Sequence, residues 1–237
     1  MAATQRTDVG KARRQNEDAA WFDEERGMFA VADGMGGHLA GEVASQIAIN
    51  AMKRLAVSGA GAGISALRSA VAGAHEAIAA HARENAGCSG MGTTLSVIWR
   101  GGRYMYIAHV GDSRIYRMRG GELEQITQDH SLVEELVRAR LITREEARTH
   151  PRRNIITRAL GTQGENAPDM LAADTCRGDV WLLCSDGLTG MISDKAIADT
   201  IIANENLDAA ADSLLEQALD AGGKDNVTLI LYRDEED

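Results

Sequence analysis

Four short apolar runs in this chain begin or end on an aspartate, and no other feature restricts its fold as much. Met28-Phe-Ala-Val-Ala32 stops at Asp33, and Gly34, Gly36 and Gly37 follow within four residues. Tyr104–Val110 runs into Gly111-Asp112-Ser113, and Val180–Cys184 into Ser185-Asp186-Gly187. Near the C-terminal end, Gly222-Gly223-Lys224-Asp225-Asn226 leads into Val227-Thr-Leu-Ile-Leu231. Runs with this length and these flanks read as buried strands. A carboxylate at the end of a buried strand is costly unless something positive meets it. Four of them gathered at one end of a sheet would also repel one another. Hard divalent ions with oxygen ligands, Mg²⁺ or Mn²⁺, resolve that conflict. The adjacent glycines let the backbone turn sharply and bring its carbonyl groups near a small charged guest. Any one run alone is equally a strand-to-loop turn with an exposed acid; the repetition favours a metal centre.

Composition narrows the alternatives. The net charge is −10 and no basic stripe is present, which argues against nucleic-acid binding. Arg13-Arg14 and Pro151-Arg152-Arg153 are local basic spots in an acidic molecule, and either could hold one phosphate. No apolar run approaches the roughly 20 residues that span a bilayer. The first residues carry no hydrophobic signal region, so the expectation is a cytoplasmic protein. Cys88, Cys176 and Cys184 are an odd number without a Cys-x-x-Cys pair, which suggests neither a disulfide framework nor zinc. Cys184 falls inside an apolar run and reads as core.

Taken in order, residues 1–9 read as an edge strand, and 10–18 as a charged loop. Ala19-Ala-Trp-Phe22 is a strand leading to the run at 28–32, so the first 34 residues read as a meander. From 39 to about 57 the period becomes helical, with Val43, Ile47, Ala51 and Leu55 on one face. A second helix over 64–85 carries Ile64, Leu67, Val71, Ala74 and Ile78 on its stripe, with His75 and His81 read as surface. Segments 92–99, 103–110, 113–118 and 122–127, separated by Gly101-Gly102 and Gly120-Gly121, read as consecutive antiparallel strands. Asp129-His130-Ser131 reads as a helix cap, followed by helical segments at about 132–139 and 143–149, the second carrying a Thr143-Arg-Glu-Glu146 capping-box pattern. The charged, short-pieced stretch 131–161 reads as an insertion over a sheet edge. Strands at 168–176 and 179–185, helices at 194–204 and 207–221, a strand at 226–233 and a frayed acidic tail complete the chain. This order fits two packed sheets with helix pairs outside, in one domain spanning 1–237.

The spacing of these features resembles the metal-dependent serine/threonine protein phosphatases of the type 2C family, in their compact bacterial form. The resemblance rests on Gly10-x-x-Arg13-x-x-Asn16-x-Asp18, Ala32-Asp33-Gly34-Met35-Gly36-Gly37, Gly92-Thr93-Thr94, Gly111-Asp112-Ser113-Arg114, Ser185-Asp186-Gly187-Leu188 and Lys224-Asp225-Asn226. Each motif is weak alone; the full set in the family's order is specific. It implies an α/β four-layer α-β-β-α sandwich of two mainly antiparallel sheets, with metals at one edge. The residue matching Asp33 bridges two ions, and the carbonyl matching Gly34 binds one of them. Asp186 and Asp225 match the rest of the second ion's shell, and Asp112 with Asp186 matches a weaker third site. Arg13 matches the residue that grips the substrate phosphate, and Asp18 an acid near the metals acting through water. Residues 131–161 match the mobile flap beside the substrate cleft. Met35 stands where many eukaryotic relatives carry a histidine taken as general acid, and Met35 cannot donate a proton. His38, three residues on, is the candidate substitute, as is a metal-bound water. His109 and His130 have no motif support and read as structural.

The activity implied is hydrolysis of phosphoserine and phosphothreonine by a metal-activated water, opposing a bacterial Ser/Thr kinase, by a monomer that engages neither nucleic acid nor membrane. Cysteine-based phosphatase chemistry needs Arg six positions after the thiolate; here Thr94, Leu182 and Gly190 stand there. Gly222-Gly223-Lys224 is followed by Asp225 rather than Ser or Thr, which excludes a P-loop. The rivals are a catalytically inactive phosphatase fold that binds phosphoproteins, and a hydrolase of small phosphoesters.

Overall fold

The computed structural model describes residues 2–36, 40–164 and 166–236. The chain opens with β1 (Ala2–Asp8), β2 (Asp18–Asp23) and β3 (Met28–Met35), then α1 (Ala40–Ala56) and α2 (Ile64–Glu84). It continues through β4 (Gly92–Thr93), β5 (Leu95–Gly101), β6 (Tyr104–Val110), β7 (Arg114–Arg119) and β8 (Glu122–Gln125). Next come α3 (Leu132–Arg138), α4 (Arg144–Thr149), β9 (Asp169–Asp174) and β10 (Val180–Cys184). It closes with α5 (Asp186–Thr189), α6 (Asp194–Ala203), α7 (Leu207–Asp220) and β11 (Val227–Arg233).

The strands form two antiparallel sheets. One has the order β1-β11-β10-β7-β8, the other β2-β3-β5-β6-β9 with the short β4 also on β3. Alternation along the strands explains the layering, because successive side chains point to opposite faces. In β3, Phe29 and Val31 join Trp181, Leu183, Ile230 and Tyr232 of the other sheet in the central core. Met28, Ala30 and Ala32 instead meet Ala44, Ala48 and Met52 of α1 and Leu67 and Val71 of α2. On β10 and β11, Leu182, Cys184, Leu229 and Leu231 face Ile197 and Ile201 of α6 and Leu207 and Leu214 of α7. Phe29 and Tyr232 stack across the sheet–sheet interface with ring centroids 4.3 Å apart. The expected α-β-β-α sandwich is therefore present, with its deepest core between the sheets.

Several expectations are corrected. The first 34 residues are not a meander: β1 pairs with β11, and β2 and β3 lie in the other sheet. The strands from 92 to 127 also divide, because the chain leaves one sheet after β6 and enters the other at β7. Periodicity reports which face a residue takes, not which sheet its strand joins. In α1 the expected Ala51 is buried together with Ala40, Ala44, Ala48, Ile49 and Met52, whereas Val43, Ile47 and Leu55 are only partly covered. Small residues win the centre because they let the helix lie close against β3. The predicted start at Leu39 lies outside the described residues. His75 is not simply surface: its Nδ1 accepts from the Gly161 N–H at 3.0 Å, tying α2 to the loop that ends the 131–161 stretch. That loop is core, with Ala159 and Leu160 buried, although α3 and α4 bury nothing. The acidic tail is not frayed at its start. Asp234 is 0% exposed and holds Arg100 Nε at 3.0 Å and the Thr175 hydroxyl at 2.7 Å. Among the described residues, no helix is long and apolar enough to cross a membrane.

The close approach of α5 to β11 gives a stability test. A Cβ added at Gly187 would sit 1.9 Å from the Asn226 carbonyl oxygen, with backbone on both sides of the contact. Gly187→Ala is expected to lower unfolding free energy by about 1–3 kcal/mol. Gly61→Ala, where a Cβ meets nothing within 4 Å, should stay within about 0.5 kcal/mol of the parent in the same urea titrations. Equal effects at both sites would contradict the packing described.

Candidate active site

The crossings between sheets build the site. Asp112 sits on the three-residue link by which the chain passes from β6 to β7. Asp186 opens α5 directly after β10, Asp225 precedes β11, and Asp33 lies near the end of β3, where its partner changes from β5 to β4. Arg13 is carried on the loop between β1 and β2, which spans the two sheets. All five, with Gly34, line one cavity of about 200 Å³. Each predicted site residue that the structure describes is thus brought to a single place; His38 lies outside the described residues.

Backbone hydrogen bonding fixes these positions. The Asp33 N–H donates to the Thr94 hydroxyl at 2.9 Å, and the Asp33 carbonyl accepts from the Thr93 hydroxyl at 2.9 Å and the Thr94 N–H at 2.9 Å. That is the physical task of the Gly92-Thr93-Thr94 motif. Asn226 clamps the arginine loop: its Nδ2 donates to the carbonyls of Val9 and Gln15, both at 2.9 Å, and its Oδ1 accepts from the Glu17 N–H at 2.8 Å. The turn before Asp112 is braced by His130, whose N–H donates to the Gly111 carbonyl at 2.8 Å while its Nδ1 accepts from the Gly111 N–H at 3.1 Å. His109 packs beside it, fully buried between the Ser96 hydroxyl at 2.9 Å and the Gln128 carbonyl at 3.1 Å. Burial pushes its pKa down to about 4, so it is a neutral structural brace, as read from the sequence.

The electrostatics of the cavity are those of an unneutralised acid cluster. Asp33 and Asp112 line the cavity and keep some surface open, yet protein surrounds them so closely that burial, reinforced by neighbouring carboxylates, pushes both well above the usual carboxylate range. Asp186 is raised to about 6, chiefly by burial and then by Asp225. Asp18 is raised to about 7 by burial, against the lowering effect of the Ser185 hydroxyl. That hydroxyl donates to Asp18 Oδ2 at 2.7 Å, while Asp18 Oδ1 is buried with no hydrogen-bond partner. An orphaned carboxylate oxygen facing other raised carboxylates is what a cation site looks like from the protein side.

Among the described residues, no three His, Cys, Asp or Glu side chains converge into a closed ligand cage. This is compatible with Mg²⁺ or Mn²⁺, since Mg²⁺ keeps several waters and is held by one or two carboxylates rather than by an all-protein cage. Arg13 Nη2 donates to Asp225 Oδ2 at 2.8 Å, with half of its side chain exposed, so the one guanidinium on the cavity wall faces the acids.

Sequence reasoning missed several lining residues. Glu17 neighbours Asp18 in the same charged loop; its adjacency to a motif acid was the only available signal. Burial raises its carboxyl, against the pull of Arg13. Thr94 belongs to a motif that was recognised without its contacts. Asn154 and Ile156 reach the cavity from the 131–161 stretch, and no spacing rule could place them there. Met35 also lines the wall and has no proton to give.

An arginine and a group of carboxylates, set where two sheets meet, form a site whose chemistry suits a phosphate group and the cations that would neutralise the acids. The family model described as protein phosphatase 2C matches residues 7–227, and the chain belongs to that family. It is 43% identical over 227 residues to the serine/threonine protein phosphatase PstP of Mycobacterium tuberculosis, covering 95% of this chain and 43% of that protein. The chain thus spans less than half the length of that relative. It is 38% identical to the serine/threonine phosphatase stp of Listeria welshimeri, covering 98% of this chain and 95% of the relative. A crystal structure of the catalytic domain of PstP in complex with two manganese ions superposes with a TM-score of 0.91 at 39% identity, covering 99% of this chain and 98% of the other.

The raised carboxylates predict a pH dependence for metal-free protein. A pKa raised on folding contributes stability that is present below the ordinary carboxylate value and lost as pH rises through the folded value. For Asp18 that loss builds as pH rises above the ordinary carboxylate value and is complete above about 7. Asp18→Asn, which keeps the shape but cannot ionise, is therefore expected to be more stable than the parent at pH 8 in EDTA, with the gain shrinking toward pH 5. Denaturation curves across that range check it, and a gain independent of pH would contradict it.

Proposed function

We propose that this chain is the catalytic unit of a metal-dependent protein phosphatase that hydrolyses phosphoserine and phosphothreonine in proteins. The observation that carries the reading is the single cavity in which Arg13 faces Asp33, Asp112, Asp186 and Asp225. The manganese-bound relative supports Mn²⁺ as a cofactor here, and the all-oxygen donor set suits Mg²⁺ as well. In this reading Asp33, the Gly34 carbonyl, Asp186 and Asp225 would hold two core ions, with Asp33 shared between them, and Asp112 with Asp186 would hold a weaker third. Bound there, the ions supply Lewis-acid charge and acidify water near neutral pH.

The chain's own residues do the rest. Arg13 offers a planar fork to the phosphate oxygens, for which it must exchange its bond with Asp225 for the substrate. Asn226 keeps the arginine loop docked during that exchange, and Thr93 and Thr94 keep Asp33 aimed at the cavity. Asp18 acts through water from behind the acid cluster, and Glu17 lines the cavity beside Arg13. His38 is the proposed donor of a proton to the leaving alcohol, because Met35 has none. The family match over 7–227 supports reading the whole chain as one catalytic domain, with 131–161 as its flap. The exposed thiol of Cys176, with no cysteine partner, supports a reducing, cytoplasmic setting. A Ser/Thr kinase that phosphorylates the same substrates is the opposing partner this activity implies.

The test is hydrolysis of a phosphothreonine peptide by purified protein. Turnover is expected to disappear in EDTA and return with Mn²⁺ or Mg²⁺. Asp33→Ala should abolish it with the fold intact by circular dichroism. Arg13→Ala should lower kcat/KM by roughly tenfold or more while metal binding persists. Folded, metal-loaded protein that hydrolyses neither the peptide nor an aryl phosphate would instead indicate a phosphoprotein-binding module.

A further inference from the structure

A second cavity, of about 440 Å³, opens beside the first and shares Asp112, Asn154 and Asp186 with it. Its outer wall is the 131–161 stretch, which carries seven arginines and four glutamates in a chain of net charge −10. The two ends of that stretch are tied together, since the Leu132 N–H donates to the Ile155 carbonyl at 2.8 Å and the Thr157 N–H to the His130 carbonyl at 2.8 Å. The wall is therefore held against the sheet edge.

The charges facing this second cavity are not balanced evenly. Asp129 is taken up by Arg114 at 2.7 Å and by Gln125 at 2.9 Å. Asp194 accepts from the Tyr116 hydroxyl at 3.1 Å, and Glu134 from Gln128 at 3.2 Å. Of the lining arginines, Arg144 reaches Glu134 only at 3.7 Å with 74% of its side chain exposed. Arg148 donates to the Ile192 carbonyl at 3.4 Å. Among the described residues neither Arg148 nor Arg153 pairs with a carboxylate. Glu145 lines the same cavity, as do Asp129, Glu134 and Asp194, so arginines and acids share its walls while, among the described residues, Arg148 and Arg153 keep their forks free of carboxylate partners.

We propose that Arg144, Arg148 and Arg153 read negative charge on the substrate segment flanking the phosphoresidue, so that acidic or doubly phosphorylated segments are preferred. This rests on the phosphatase reading of the first cavity. With the phosphoresidue seated against Arg13, the continuous wall leads neighbouring residues into the second cavity at about 3.3–3.6 Å per residue of extended chain. Carboxylate and phosphate are the chemistry that an unpaired guanidinium fork recognises.

The experiment compares three phosphothreonine peptides of one sequence, flanked by alanines, by aspartates or by a second phosphothreonine. Each is assayed beside an aryl phosphate with metal-loaded full chain. The aspartate or diphosphorylated peptide is expected to be turned over with roughly tenfold higher kcat/KM than the alanine peptide. In Arg148→Gln/Arg153→Gln the ratio between peptides should fall toward one, each variant serving as its own reference. A preference for the second phosphate alone identifies phosphate, and an equal preference identifies negative charge of either source; both support the proposal. An enzyme that hydrolyses the aryl phosphate but treats the peptides alike, or whose preference survives the double substitution, overturns it. Failure to hydrolyse any of these substrates overturns the phosphatase reading, and this inference with it.

Discussion

Repulsion among buried carboxylates is the constraint on which the structure depends. At an effective dielectric of about 20, two carboxylates some 6 Å apart repel by about 3 kcal/mol, and burial adds several kcal/mol for each charge. The sequence nonetheless sends Asp33, Asp112, Asp186 and Asp225 to one cavity, with Asp18 behind them. No hydrophobic gain comes from those positions. The two-sheet core of Phe29, Ile107, Trp181, Leu183 and Tyr232 supplies the stability that holds the acids together. The acids stand ready for cations as a result.

This division of labour accounts for the topology. Residues that must meet at one point are easiest to supply where the chain passes between layers, because such links lie at the sheet ends and need no regular pairing. Arg13 rides on the link from β1 to β2, and Asp112 on the link from β6 to β7. The polar residues around them act as clamps more than as chemistry: Asn226 holds the arginine loop, Thr93 and Thr94 hold Asp33, and neutral His130 and His109 hold the turn before Asp112. Placing these clamps next to the acids keeps the cavity in shape whether or not charge is present in it.

Much of this was legible in the sequence, for identifiable reasons. Strands ending on Asp beside Gly carry a strong local signal, and the four acids they mark do share a cavity. The helices α2 and α7 were readable from their period, and α6 was placed at 194–204. Sheet membership was not: β1 and β2, adjacent in sequence, belong to different sheets because nothing local encodes a strand's partner. The small-residue stripe of α1 was hidden because Val43, Ile47 and Leu55 give a more hydrophobic pattern than the alanines that contact β3. Asp234 looked like tail because its partner, Arg100, is far away in sequence. Glu17, Asn154 and Ile156 reach the site through tertiary placement alone.

The central claim is that burial and mutual repulsion raise the carboxylates of the acid cluster and that cations complete the site. It is tested most directly by calorimetric titration of Mn²⁺ into metal-free protein near pH 6.5, in two buffers of different ionisation enthalpy. With Asp186 raised to about 6 and Asp18 to about 7, binding is predicted to be saturable and to release protons, so the observed heat differs between buffers. Absence of saturable binding, or binding whose heat is the same in both buffers, would contradict the account.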